Sequence, residues 1–79
     1  MITSLVDIEA AKERLASGEQ PYAFQLSDST TMLGPACRYG SDYLRRLREE
    51  GGYAESFDEA RLIVDARGAK ITGIWFIKQ

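Results

Sequence analysis

Cys37 is the only cysteine in a chain of 79 residues that contains no histidine. Neither an intramolecular disulfide nor a Cys/His zinc cluster can therefore brace the fold. A chain this short has apolar surface for one core and buries roughly 60–65% of its unfolded area, so residues 1–79 read as a single domain. Such a core supplies only about 3–5 kcal/mol net, which leaves oligomerisation as the available reinforcement. Hydrophobic residues at 44% and charged residues at 28% are globular in character and exclude a fibre or a disordered tail. No basic-then-apolar leader opens the chain, and no apolar run approaches the ~20 residues that span a bilayer, so membrane insertion is not expected. A lone thiol fits a reducing compartment, and the expected location is the cytoplasm of a host cell.

Local patterns divide the chain into short elements. Ser4 before Leu5, Val6 and Asp7 has the form of a helix start, the hydroxyl capping free amides and the aspartate favoured at the positive dipole end. Leu5, Ile8, Ala11 and Leu15 then recur at three-to-four spacing, with Lys12 breaking the stripe, until Gly18 offers a stop. Residues 22–26 alternate as a half-buried strand entered by Pro21, with Tyr22, Phe24 and Leu26 on one face. Residues 30–33 return as a short second strand, interrupted by Gly34 and Pro35. Ser41 caps a second helix, with Tyr43, Leu44 and Leu47 on its apolar side and Gly51 and Gly52 ending it. Ser56 with Glu59 repeats the capping-box form, predicting one helical turn over 57–61 and an extended stretch over 62–66. Arg67 and Gly68 turn the chain into residues 70–78, whose β-branched and aromatic content predicts a central strand.

The sum is an α+β fold: a three- or four-stranded, mostly antiparallel sheet with two helices packed on one face. Its expected core is Leu5, Ile8, Leu15, Phe24, Leu44, Leu47, Val64, Ile71, Trp75 and Ile77.

Charge is sorted along this frame. The formal charge runs −3 over residues 1–36, +3 over 37–48, −5 over 49–65 and +3 over 66–79. Arg38, Arg45, Arg46 and Arg48 interleave with Tyr39 and Tyr43, a mixture that often contacts phosphates and bases. The plainer alternative is a solvated helix face, since Arg45 with Glu49 and Arg46 with Glu50 stand at i,i+4. An overall pI of about 5.0 argues against direct nucleic-acid binding. The acidic run holding Glu49, Glu50, Glu55, Asp58 and Glu59 can imitate a phosphate backbone before a basic groove. Glu59 and Asp58 have helix-start roles, which leaves Glu49, Glu50 and Glu55 without a competing structural one.

Trp75 and Phe76 are adjacent on a strand and must point to opposite faces, so one of them can anchor a partner unless the loop at 35–39 covers it.

Catalysis is poorly provided for. Cys37 has no histidine to activate it and reads as a small core residue. The glycines form neither a P-loop nor a dinucleotide fingerprint, and no carboxylate pair or serine triad is recognisable. A binding protein without enzymatic activity, cofactor or metal is the expectation, with a charged macromolecule as its partner.

In size, acidity, compact α+β patterning and lack of catalytic motifs, the chain resembles the small phage-encoded inhibitors of bacterial defence, the anti-CRISPR proteins in particular. That resemblance implies stoichiometric binding to a CRISPR effector ribonucleoprotein, obstructing target-DNA recognition or nuclease recruitment. Those inhibitors share no motif, so it assigns no residue. Two alternatives stand beside it: a homodimeric structural or regulatory module whose apolar C-terminal strand pairs edge to edge or face to face with its copy, and a nucleic-acid binder using the arginines and tyrosines.

Overall fold

The computed structural model describes residues 2–78 and begins with a strand where the serine spacing anticipated a helix. The elements run β1 (Thr3–Asp7), α1 (Ile8–Ala16), β2 (Ala23–Leu26), β3 (Thr31–Leu33), α2 (Ser41–Glu49), α3 (Phe57–Ala66) and β4 (Ile71–Ile77). One four-stranded sheet has the order β1-β4-β2-β3, with every neighbouring pair antiparallel. The C-terminal strand is thus interior, as its composition predicted.

Three local expectations are corrected, the first at α2, where Ser41 is the first helical residue and the N-cap is Gly40, with no side-chain hydrogen bond. Ser4 caps nothing: it pairs with Phe76 inside the sheet, and α1 is capped by Asp7, whose carboxylate accepts from the Ala10 amide at 3.0 Å. The stretch over 3–6, with β-branched Thr3 and Val6, pairs with β4, whereas a capped helix there would have left that side of β4 unpaired. Residues 62–66, expected to be extended, continue α3 instead. Ser56 accepts from the Glu59 amide at 3.1 Å, and Glu59 reaches back to the Glu55 amide at 3.3 Å, so the helix starts well. Ala60 and Val64, four apart, then bury completely or nearly so, and Leu62 turns to solvent. Helical spacing of the buried residues outweighs the β-preference of Ile63 and Val64.

The sheet face beneath the helices carries Phe24, Leu26, Met32, Ile74 and Phe76, and these join Ala11 of α1 with Ala60 and Val64 of α3 in one core. Small alanines let both helices approach the sheet closely. Ile8, Leu15 and Ile71 lie at its margin, as half-buried members. Two helices do cover one face, but they are α1 and α3. The third helix, α2, buries no residue; Leu44 and Leu47 are only partly covered and stand outside the core. Leu5, Trp75 and Ile77, also expected inside, sit on the sheet face opposite the helices.

The open end of the core is closed by one side chain. Arg14 lies over the Phe76 ring, 4.3 Å from its centroid, and forks onto Glu19, with Nε to Oε2 at 2.7 Å. That hydrogen bonding from Arg14 holds the Glu19 carboxyl below its usual range. Asp28 is also lowered, first by the Thr30 hydroxyl and amide, with Arg67 beside it. A carboxyl depressed in the folded state contributes stability above its unfolded pKa, and that stability is lost as pH falls through the folded value. The melting temperature is therefore expected to drop on acidification below about pH 4, and to drop less steeply in Glu19→Gln. Thermal melts of both proteins across that range check this.

Candidate protein-interaction surface

Charges that are segregated along the sequence are partly recombined in space. Gly51, at φ +76°, reverses the chain after α2, so the acidic run folds back alongside the arginines. Arg48 bridges the turn: its guanidinium meets Glu55 at 3.4 Å and Glu59 at 2.8 Å. Glu55 therefore has a structural role, contrary to expectation. Arg45 pairs with Asp42 at 3.1 Å on the same helix, and neither of the anticipated i,i+4 pairs forms. Arg38 stands apart from the helix, lining a depression with Glu19, Gln20, Ala36 and Ile77. Among the described residues, Arg46, Glu49 and Glu50 are exposed and lie outside every ion pair.

The aromatic candidates separate as their strand positions require. Phe76 is fully buried beneath Arg14, which removes it as a partner anchor. Trp75 faces the other way, partly exposed, its indole N–H donating to the Gln25 side chain at 3.3 Å. It lines a shallow groove with Thr3, Tyr22, Ala23, Thr31 and Leu33. Nearer α2, Tyr39 and Tyr43 are about half exposed and meet edge to face at 5.2 Å. The Tyr39 phenol is pushed up by the neighbouring Cys37 thiol and then by Tyr22, and Tyr22 also lines the groove beside Trp75. The loop at 35–39 therefore leaves Trp75 partly open.

Sequence reasoning missed Tyr22, Leu5 and Leu33 as surface groups. Tyr22 was assigned to the face of Phe24, and only the bend before β2 detaches it from that alternation. Tyr53 was also missed: it is buried, and its phenol is pushed up by that burial and by Glu55. With Ser41, Leu44, Arg45, Arg48 and Glu55 it lines a depression under α2. An aromatic directly after Gly51 and Gly52 was the available signal.

Cys37 is buried, and burial pushes its thiol above the usual value, so it is a poor nucleophile at neutral pH. Among the described residues no group of three or more His, Cys, Asp or Glu is placed to hold a metal, and no helix is long and apolar enough to cross a membrane.

Compared with known proteins, the chain matches no family model, no curated protein and no solved structure.

Proposed function

We propose that this chain is a non-enzymatic binding protein that docks on a CRISPR effector ribonucleoprotein and blocks target-DNA recognition or nuclease recruitment. The observation that carries the reading is the disposition of α2. This helix gives the core no buried residue, yet it and its preceding loop present Tyr39, Tyr43, Arg45, Arg46, Glu49 and Glu50 to solvent. Tyrosine and arginine are enriched among the few residues that dominate binding at protein interfaces, the ring by area and the guanidinium by forked hydrogen bonds. Charges of both signs on one helix fit an effector surface where basic grooves and RNA phosphates lie together. Trp75, on the open sheet face, is a second anchor.

Direct binding to free nucleic acid is disfavoured by the same geometry. Arg45 and Arg48 are paired with carboxylates, and Glu49 and Glu50 stand beside the unpaired Arg46. A salt-sensitive gel shift with DNA or RNA alone is not expected.

Charge reversal tests the role of α2. Arg45→Glu with Arg46→Glu, or separately Glu49→Lys with Glu50→Lys, is expected to weaken capture of effector ribonucleoprotein about tenfold, a change of roughly 1.4 kcal/mol. These side chains are exposed, so melting temperatures should move little. Affinity unchanged in both double variants would overturn the assignment of α2.

A further inference from the structure

We infer that β1 is a self-pairing edge, through which two copies of this chain join their sheets into one. The Lys78 amide donates to the Ile2 carbonyl at 2.8 Å, which sets the ladder phase: Ser4 and Val6 exchange bonds with β4. The N–H and C=O groups of Thr3 and Leu5, and the N–H of Asp7, therefore point away from the sheet. The opposite edge is occupied at Leu33, which bonds to Gly52 at 2.9 Å and to Ala54 at 3.0 Å. β1 carries no lysine, proline or bulge to keep the edge from pairing, and its one charged residue, Asp7, lies at its end.

The side chains specify the occupant as a second copy. Cross-strand pairing sets Leu5 beside Trp75, Trp75 beside Ala23 and Ala23 beside Leu33, one apolar row across the helix-free face. Leu5 ends this row at the free edge, 51% exposed. A two-fold axis at Leu5 puts it opposite Leu5 of the second copy and continues the row unbroken through both sheets. Asp7 then faces Thr3 of the second copy, a carboxylate against a hydroxyl, so no like charges oppose. Edge-to-edge pairing through the C-terminal strand is excluded by topology, since β4 already has a neighbour on each side. This inference is independent of the α2 reading: α2 lies by the β3 side, where Leu44 meets the depression holding Tyr53, and it stays free in the pair.

Sedimentation of the full chain from micromolar to millimolar concentration is expected to show a monomer–dimer equilibrium. Leu5→Pro removes an outward N–H without touching the β4 ladder, and is expected to abolish the dimer. Should that variant fail to fold, Leu5→Cys serves instead. Hydrogen-bonded antiparallel partners stand about 5.5 Å apart at Cα, within disulfide reach, so mild oxidation is expected to give a covalent dimer. Thr31→Cys, exposed on the far strand, is expected to give none. A wild-type monomer at every concentration overturns the inference. So does a dimer that survives Leu5→Pro, or cross-linking that is equal at positions 5 and 31.

Discussion

Phe76→Ala is expected to leave little folded protein at physiological temperature, while Trp75→Ala, one residue away, is expected to leave a cooperative fold. Phe76 is fully buried among Phe24, Met32 and Ile74, under the Arg14 guanidinium. Truncating such a ring costs about 3–5 kcal/mol through lost transfer energy and the cavity left behind. That equals the whole net stability of a core this small. Trp75 is partly exposed on the helix-free face, where its removal opens no enclosed cavity, and losing its buried part costs less, about 2–3 kcal/mol. Urea unfolding followed by circular dichroism separates the two. A near-native midpoint for Phe76→Ala, or a larger loss at Trp75, would show that the faces of β4 are assigned the wrong way round.

Gly34→Ala is expected to cost about 1–3 kcal/mol, towards the upper end, because the group in the way is backbone. A Cβ at Gly34 would stand 2.5 Å from the Pro21 carbonyl oxygen. The two segments cannot separate freely: Gly34 donates to Tyr22 at 2.8 Å and Ala36 donates to Pro21 at 3.0 Å. Relieving the clash loosens the loop that holds Cys37, whose amide bonds to the Gly34 carbonyl at 3.1 Å. The variant should therefore melt lower and expose Cys37, so that its thiol reacts faster with a disulfide reagent at a temperature where both proteins are folded. An unaltered melt with an unaltered thiol rate would contradict the close approach.

These two positions also show what the sequence could and could not reveal. The composition of residues 70–78 was enough to predict an interior strand, and Ser56 with Glu59 was enough to predict a helix start. Adjacent aromatics on a strand had to face opposite ways, but which one was covered depends on where α1 and α3 lie, and Arg14 over Phe76 leaves no local signal. The start of the chain was ambiguous by nature. Leu5 and Ile8 are spaced for a helix, Thr3 and Val6 are β-branched residues that favour a strand, and the decision is made by β4 at the far end of the chain. Over 62–66 the β-branched residues favoured extension, while the burial of Ala60 and Val64 along one stripe favoured helix, and packing won. The charge pattern was legible as composition but not as surface. Arg48 reaches Glu55 and Glu59 only because Gly51 turns the chain back, so part of the apparent segregation closes on itself. What stays open to a partner is Arg46, Glu49 and Glu50, outside every ion pair among the described residues, together with the exposed Arg45, Tyr39 and Tyr43.

On the proposed function, these side chains occlude an effector complex. The most direct measurement is target-DNA binding by purified CRISPR effector ribonucleoproteins of the different types, titrated with this protein at moderate salt. The expected result is loss of target binding or of nuclease recruitment for at least one type, complete near one protein per binding site, and relieved by Arg45→Glu with Arg46→Glu. Full target binding and cleavage by every type in the presence of excess protein would contradict the claim.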